Sequence, residues 1–209
     1  MLLRTLITTT VVGAVVASSA AVQTAPPLNA GAPAALVTFT VDQAHSQMMF
    51  KVRHLGISTV TGRFAAFSGT FQLDPATGEA GAASLSIDVA SINTEQERRN
   101  AHLKSPDFFN ADSFPKITFV STGMQKVGGN KYKVSGNLTI RGVTKPVVLE
   151  AEVAGTRQTA EGWLAAVNMT GTVKRKEFGL MWDRITEGVA VVGDDVTMQI
   201  EVEAKAPKM

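Results

Sequence analysis

From Val37 onward, apolar residues recur with a period of two in one stretch after another. A period of two marks strands with one buried and one wet face, because successive side chains point to opposite sides. In Gln47–His54, Met48, Phe50, Val52 and His54 share one face, and Gln47, Met49, Lys51 and Arg53 the other. Val60, Gly62 and Phe64 repeat the pattern. Ala65-Ala66 then shifts the phase as a β-bulge would, and Phe67, Gly69 and Phe71 resume it. Similar sets follow at Leu85–Val89, Ile117–Phe119, Tyr132–Ile140, Val147–Val153, Trp163–Val173 and Val196–Val202. Turn residues separate them at Leu55-Gly56, Asp74–Gly78, Gly128-Gly129-Asn130 and Gly142.

About eight strands joined by short turns predict antiparallel neighbours, in a sandwich or a closed barrel. The barrel is favoured because closure removes exposed edges. An eight-stranded barrel either fills with side chains or holds one small ligand. The inward mix of Phe and Leu with Gly, Ala and Val suits both. The alternation assigns Phe50, Val52, Phe64, Leu85, Ile87, Phe119, Leu138 and Met169 to the lumen, with His54 inside or at the rim.

One stretch, Ser91–Pro115, departs from the alternation. Thr94 and Glu97 have capping-box spacing, Glu95 and Glu97 precede Lys104 as the helix dipole prefers, and Pro106 forbids continuation. The prediction is a single helix over about 95–104, in the crossover between two strands. Its Arg98, Ala101 and His102 face is poor in apolar residues, so Phe108, Phe109 and Phe114 are the expected anchors. A lid and a covered crossover are both compatible with this pattern.

Residues 1–21 have the form of a secretory signal peptide: Arg4, an apolar run from Leu6 to Val16, and small residues leading to cleavage after Ala20 or Ala21. The run is shorter than the roughly 20 residues of a spanning helix, so no transmembrane segment is expected after cleavage. Residues 22–36 are an Ala-, Pro- and Gly-rich lead-in, and 37–206 form the barrel domain. The expected address is periplasmic or secreted.

Several chemistries are disfavoured. Cysteine is absent, excluding disulfides, thiolates and a lipidated N-terminal Cys. The net charge of +2 is spread without a basic stripe, so no nucleic-acid partner is expected. There is no Gly-x-Ser-x-Gly elbow or phosphate-cradling glycine loop, Ser46 merely adjoins His45, and Asp194-Asp195 sits in a turn. No catalytic residue is assigned, and the chain is read as a non-enzyme. His45 and His54 are an odd number of residues apart, and no acidic or sulfur ligands stand beside them at fixed spacing, so no metal is expected either.

Asp42-Gln-Ala-His45-Ser46, Phe50-Lys-Val-Arg-His54-Leu-Gly56, Val60-Thr-Gly62-Arg-Phe64 and Phe67-Ser-Gly69 occur in order. Ser91-Ile92-Asn-Thr94, Arg99-Asn-Ala-His102-Leu103, Asp107-Phe108-Phe109 and Phe114-Pro115-Lys-Ile-Thr-Phe119 follow, then Gly136–Pro146 and Phe178-Gly179. Together these motifs resemble the YceI-like family of secreted bacterial proteins over nearly all of Val41–Ala204. The resemblance implies a lipocalin-like antiparallel barrel with a polyisoprenoid or similar long-chain lipid as ligand and no other cofactor. Two positions depart from the family pattern: Asn100 replaces an acidic residue, and Lys174 replaces the Asn or Asp before Arg175. Both changes remove a potential partner for Arg.

Within that picture, Arg98, Arg99, His102, Lys104 and Arg175 form a cationic set. Arg98, His102 and Arg175 are the head-group candidates, since guanidinium forks suit a diphosphate. The alternative is a solvated helix face whose Glu95–Arg98 and Glu95–Arg99 pairs count for little. The expected function is to carry or sequester an isoprenoid chain. The alternative is an interaction protein with a side-chain-filled barrel that contacts an envelope or redox partner. A homodimer is compatible with either.

Overall fold

The protein is described here by a computed structural model covering residues 35–208. The signal peptide expected at 1–21 and nearly all of the expected lead-in lie outside the described residues. The strands are β1 (Val37–Val41), β2 (Gln47–His54), β3 (Ser58–Phe64), β4 (Phe67–Leu73), β5 (Ala80–Asp88), β6 (Ile92–Asn93), β7 (Lys116–Gly128), β8 (Lys131–Ile140), β9 (Val143–Gln158), β10 (Gly162–Lys174), β11 (Ile185–Thr186), β12 (Val189–Ala190) and β13 (Val192–Pro207). The α-helix among the described residues is α1 (Glu97–Lys104), between β6 and β7.

Pairing runs from β1 through β4, β5, β7, β8, β9, β10 and β13, and β13 returns to β1. All of these pairs are antiparallel, so the sheet closes into an eight-stranded barrel. Three staves are broken once each: β1 continues as β2, β3 as β4, and β5 as β6. β13 is long enough to hold both pieces of the first stave, pairing with β2 over Val192–Glu201 and with β1 at Ala204 and Lys205.

The breaks are stitched by side chains. Gln43 donates through Nε2 to the Ala65 carbonyl at 3.0 Å and accepts from the Phe67 amide at 3.4 Å. The Ser91 hydroxyl donates to the Asp88 carbonyl at 2.6 Å, and the Ala65 amide donates to the Ser91 carbonyl at 3.2 Å. The phase shift expected at Ala65-Ala66 is therefore a strand break, which leaves Phe64 and Phe67 both buried. Ser46 Oγ completes the belt, donating to the Asp42 carbonyl at 2.7 Å and accepting from the Glu203 amide at 3.0 Å.

Arg141-Gly142 joins β8 to β9 with both residues at positive φ (49° and 74°), the type I′ turn whose twist matches a hairpin. Inside, Gly136 makes room for a ring, because a Cβ there would overlap Phe119. Phe39 and Phe71 stack at 5.3 Å.

The helix differs from its sequence-based expectation at its start. It begins at Glu97, and its N-cap is Gln96, whose side chain accepts from the Arg99 amide. Thr94 is not the cap: Glu95 adopts φ 61° and Gln96 is extended, which separates Thr94 from the first turn. The buried Thr94 is held by other contacts. Its hydroxyl and amide both donate to Asn100 Oδ1 (2.7 and 2.8 Å), and Arg99 donates to its hydroxyl and carbonyl oxygens (2.8 and 2.6 Å). Asn100 and Arg99 thus bind the chain entering the helix, in place of an acid–arginine pair.

Candidate functional site

The inward faces enclose a cavity of about 200 Å³. Tyr132 and Ile140 of β8 both line it, so it runs roughly 27 Å along that strand at ~3.4 Å per residue. Its lining is Val, Leu, Ile, Met and Phe with a few small or hydroxyl residues and the amide of Gln72; the ionisable side chains among the lining residues are Tyr132 and Arg175. No carboxylate, imidazole or amine reaches it among the described residues, so the lining holds no acid–base pair.

The structure brings Phe50, Val52, Phe64, Leu85, Ile87, Phe119, Leu138 and Met169 together around this cavity. His54 is not among the lining residues. It is the last rung of β2, half-buried opposite Val192, and β13 is irregular between that rung and the next, Val196 opposite Val52. Leu103, Phe108 and Phe109, which the alternation did not assign to the lumen, also line it. Leu103 comes from α1 and the two Phe from the loop after it, so the crossover contributes wall as well as cover.

That cover is held by two arginines. Arg175 is 4% exposed, and its guanidinium donates to the carbonyls of Gly193 (2.9 Å), Leu180 (2.6 Å), Trp182 (2.7 Å) and Val192 (3.1 Å). Burial pushes its pKa down, and the charges of Asp183 and Asp194 oppose that shift. Arg141 Nη1 donates to the Phe108 carbonyl at 2.9 Å and the Gly179 carbonyl at 2.8 Å, tying the loop after α1 to the loop before β13. Between these loops the His102 ring stands edge-on to Phe108 (5.0 Å) and Trp182 (5.1 Å), with Nε2 3.0 Å from Asp107 Oδ2.

The head-group candidates therefore separate. Arg175 spends donors on loop carbonyls, and His102 is packed into an aromatic cluster. Arg98 is exposed, and neither it nor Arg99 makes an ion pair among the described residues, so the Glu95–Arg98 and Glu95–Arg99 pairs of the solvated-face alternative are not formed. Phe109 meets Phe64 edge-on at 6.0 Å, and the Phe114 ring lies over Gly142, where an added Cβ would come within 2.6 Å of it. Arg141 and Trp182 carried no signal beyond a turn and an aromatic in a loop.

Outside the barrel, ligand atoms of Asp42, His45 and Glu203 lie within 4.8 Å of one another. The chain supplies its own cation there: Lys205 Nζ is 2.5 Å from Asp42 Oδ2. Lys205, and then His45, hold the Asp42 carboxyl down at about 2. No helix among the described residues is long and apolar enough to cross a membrane.

Comparison with known proteins agrees with this architecture. The YceI-like domain model matches residues 39–204. A UPF0312 protein of Shewanella sp. (strain W3-18-1) is 37% identical over 153 residues, covering 73% of this chain and 80% of the relative. The crystal structure of Burkholderia cenocepacia BcnA superposes with TM-score 0.69 at 30% identity, over 79% of this chain and 99% of that one. A polyisoprenoid binding domain from Saccharophagus degradans has the same fold, with TM-score 0.61 at 20% identity, over 82% and 99% of the two chains. With a barrel, a crossover helix and a family match over nearly the whole described region, this chain belongs to the YceI-like family.

Proposed function

We propose that the protein is a binding protein, not an enzyme, which carries or sequesters a long isoprenoid-type chain in its lumen, in the periplasm or after secretion. The cavity carries this reading. It is smaller than the roughly 300–1,000 Å³ of pockets for drug-sized ligands, yet it is drawn out along the barrel, so it suits a thin chain better than a compact molecule. Each buried CH₂ contributes about 0.8 kcal/mol, so affinity should climb with chain length. The polyisoprenoid named for the Saccharophagus degradans domain has this chemistry. Periplasmic or secreted action rests on the leader-like sequence of residues 1–21.

A polar head would stay outside the apolar lumen. Of the three head-group candidates, Arg98, exposed on the covering helix, is the one left to meet it. The test is organic extraction of the purified protein followed by mass spectrometry, alongside Phe64→Arg. The expected result is a near-stoichiometric apolar chain in the wild type and none in the folded variant. A wild type that yields no lipid and takes none up from isoprenoid alcohol would favour the side-chain-filled barrel with an envelope or redox partner.

A further inference from the structure

Nine large hydrophobic residues are exposed among the described residues. Five are spread over residue 36 and the strands β7 and β9. The other four, Ile57 (81% exposed), Ile185 (64%), Met181 (62%) and Val189 (44%), lie on just two segments. These are the β2–β3 turn and the loop from the 3-10 turn Arg175–Phe178 to β13, which includes the β11–β12 hairpin. The segments touch: the Leu55 amide donates to the Val191 carbonyl at 3.1 Å, and a Cβ on Gly56 would stand 3.8 Å from Val189 Cγ1. In the hairpin Ile185 shares a face with Ala190 and Val189 shares the other with Thr186, so an exposed apolar side chain stands on each face; exposed apolar residues gathered at one end in this way mark a protein or membrane contact.

Its place in the fold indicates which. The loop that carries Met181 and the hairpin also supplies Leu180 to the cavity wall, and Val192 lines the cavity just beyond it. Trp182, next to Met181, packs on His102 and Phe108 of the cover. Charge is uneven between the two ends. Segments 51–63, 88–116, 141–145 and 174–195, at the helix end, hold 13 Lys and Arg against 10 Asp and Glu; the excess comes from 51–63 and 141–145, which hold five and no acid, whereas 174–195 holds 4 against 5. The remaining described residues hold 6 against 8.

We propose that this end docks on an anionic lipid bilayer, with Ile57, Met181, Ile185 and Val189 entering its surface and the basic excess facing its head groups. The inference rests on the lumen holding an apolar chain, since such a chain is exchanged with a bilayer and hardly at all through water. A second copy suits the patch less well, because a face-to-face dimer would bring two positive ends together.

The test is co-sedimentation with vesicles of phosphatidylcholine alone, or with added phosphatidylglycerol, free of isoprenoid so that docking is scored apart from carriage. Wild-type protein should associate with the anionic vesicles, less so in high salt. Ile57→Asp with Ile185→Asp should weaken that association by about tenfold or more. In a Trp163→Phe background, the emission of Trp182 should shift to the blue on docking. Both substituted side chains are exposed, so melting and extracted lipid should stay at wild-type values. Wild-type protein that carries lipid but ignores anionic vesicles overturns docking and leaves carriage standing. Equal vesicle association of the double variant also overturns it. A solution dimer dissociated by the two substitutions, without vesicle binding, assigns the patch to a second copy instead. Extracts free of lipid from a protein that still docks overturn carriage while supporting the surface.

Discussion

Where β4 turns into β5, a single carboxylate organises the end of the barrel. Asp74 accepts from the amides of Ala35 (3.0 Å), Ala76 (2.8 Å) and Thr77 (3.2 Å), and its own amide donates to the Glu79 carbonyl at 2.7 Å. Tyr132 reaches across to the Gly78 carbonyl, and Lys126 Nζ stands 5.8 Å from the Tyr132 ring centre. At the opposite end α1 has no buried residue, and the loops around it are held by Arg141, Arg175 and the His102–Phe108–Trp182 cluster. One end is closed mainly by hydrogen bonds made within or onto a tight turn. The other is closed by a few long side chains bridging separate segments. Local opening favours regions whose contacts are few and separable. On this contrast the helix end is the expected exit for a lumen ligand, and the substitutions below test it.

The largest expected effect comes from Arg175→Met, which takes the donors from four loop carbonyls. Four orphaned acceptors, one buried and three partly buried, at about 1 kcal/mol each put the total loss at roughly 4 kcal/mol, read from the denaturant midpoint. Hydrogen exchange should accelerate first in residues 179–193; uniform acceleration in both ends would erase the contrast between them.

Arg141→Ala should act more narrowly. It removes one Nη1 shared between two partly buried carbonyls, equivalent to about one charge-assisted bond, for a loss of about 1.5–3 kcal/mol. Amides of residues 105–115 should exchange faster while the Asp74 turn keeps its protection, and bound lipid should leave more quickly. Slower or unchanged lipid release would mean that the cover is not the exit.

Tyr132→Phe tests the other end, with about 1 kcal/mol expected from one hydrogen bond. Lipid release should not change; if it speeds up, the closed end also leaks.

Asp42→Asn serves as a reference at the belt between the ends. The wild-type carboxyl is lowered from 3.8 to about 2 by Lys205 and His45. A lowered carboxyl stabilises the fold above its unfolded value and loses that contribution as pH falls through the folded one. Wild-type melting temperature should therefore fall between about pH 4 and pH 2, and the variant should lose part of that dependence. Identical acid profiles would show that the pair does not contribute.

The lumen was legible in the sequence because a strand's faces are written into its alternation. Phe50, Phe64 and Leu138 announce their side by the company they keep two residues away. The mouth was not legible in the same way. Arg141 and Arg175 act on backbone carbonyls 33, 38 and 5 to 18 residues distant, and a carbonyl belongs to every residue type. Thr94 had the spacing of a cap, but Glu95 takes a left-handed backbone that its side chain does not advertise. The helix itself was visible through Glu97, Lys104 and Pro106 because those signals are local.

β13 also has a consequence for how the chain reaches its native state. Its 16 residues are hydrogen-bonded to β10 on one side and to both β1 and β2 on the other. The closing seam therefore joins the first described strand to the last, as in Thr40 opposite Lys205. Such distant pairing is slow to form, because a long loop must close before any contact rewards it. Until Val192–Pro207 is in place, β1–β2 and β10 are bare edges flanking an open apolar trough. A premature stop shortly before residue 192 would leave almost every core residue present and the ring unable to shut, with two edges free for aggregation.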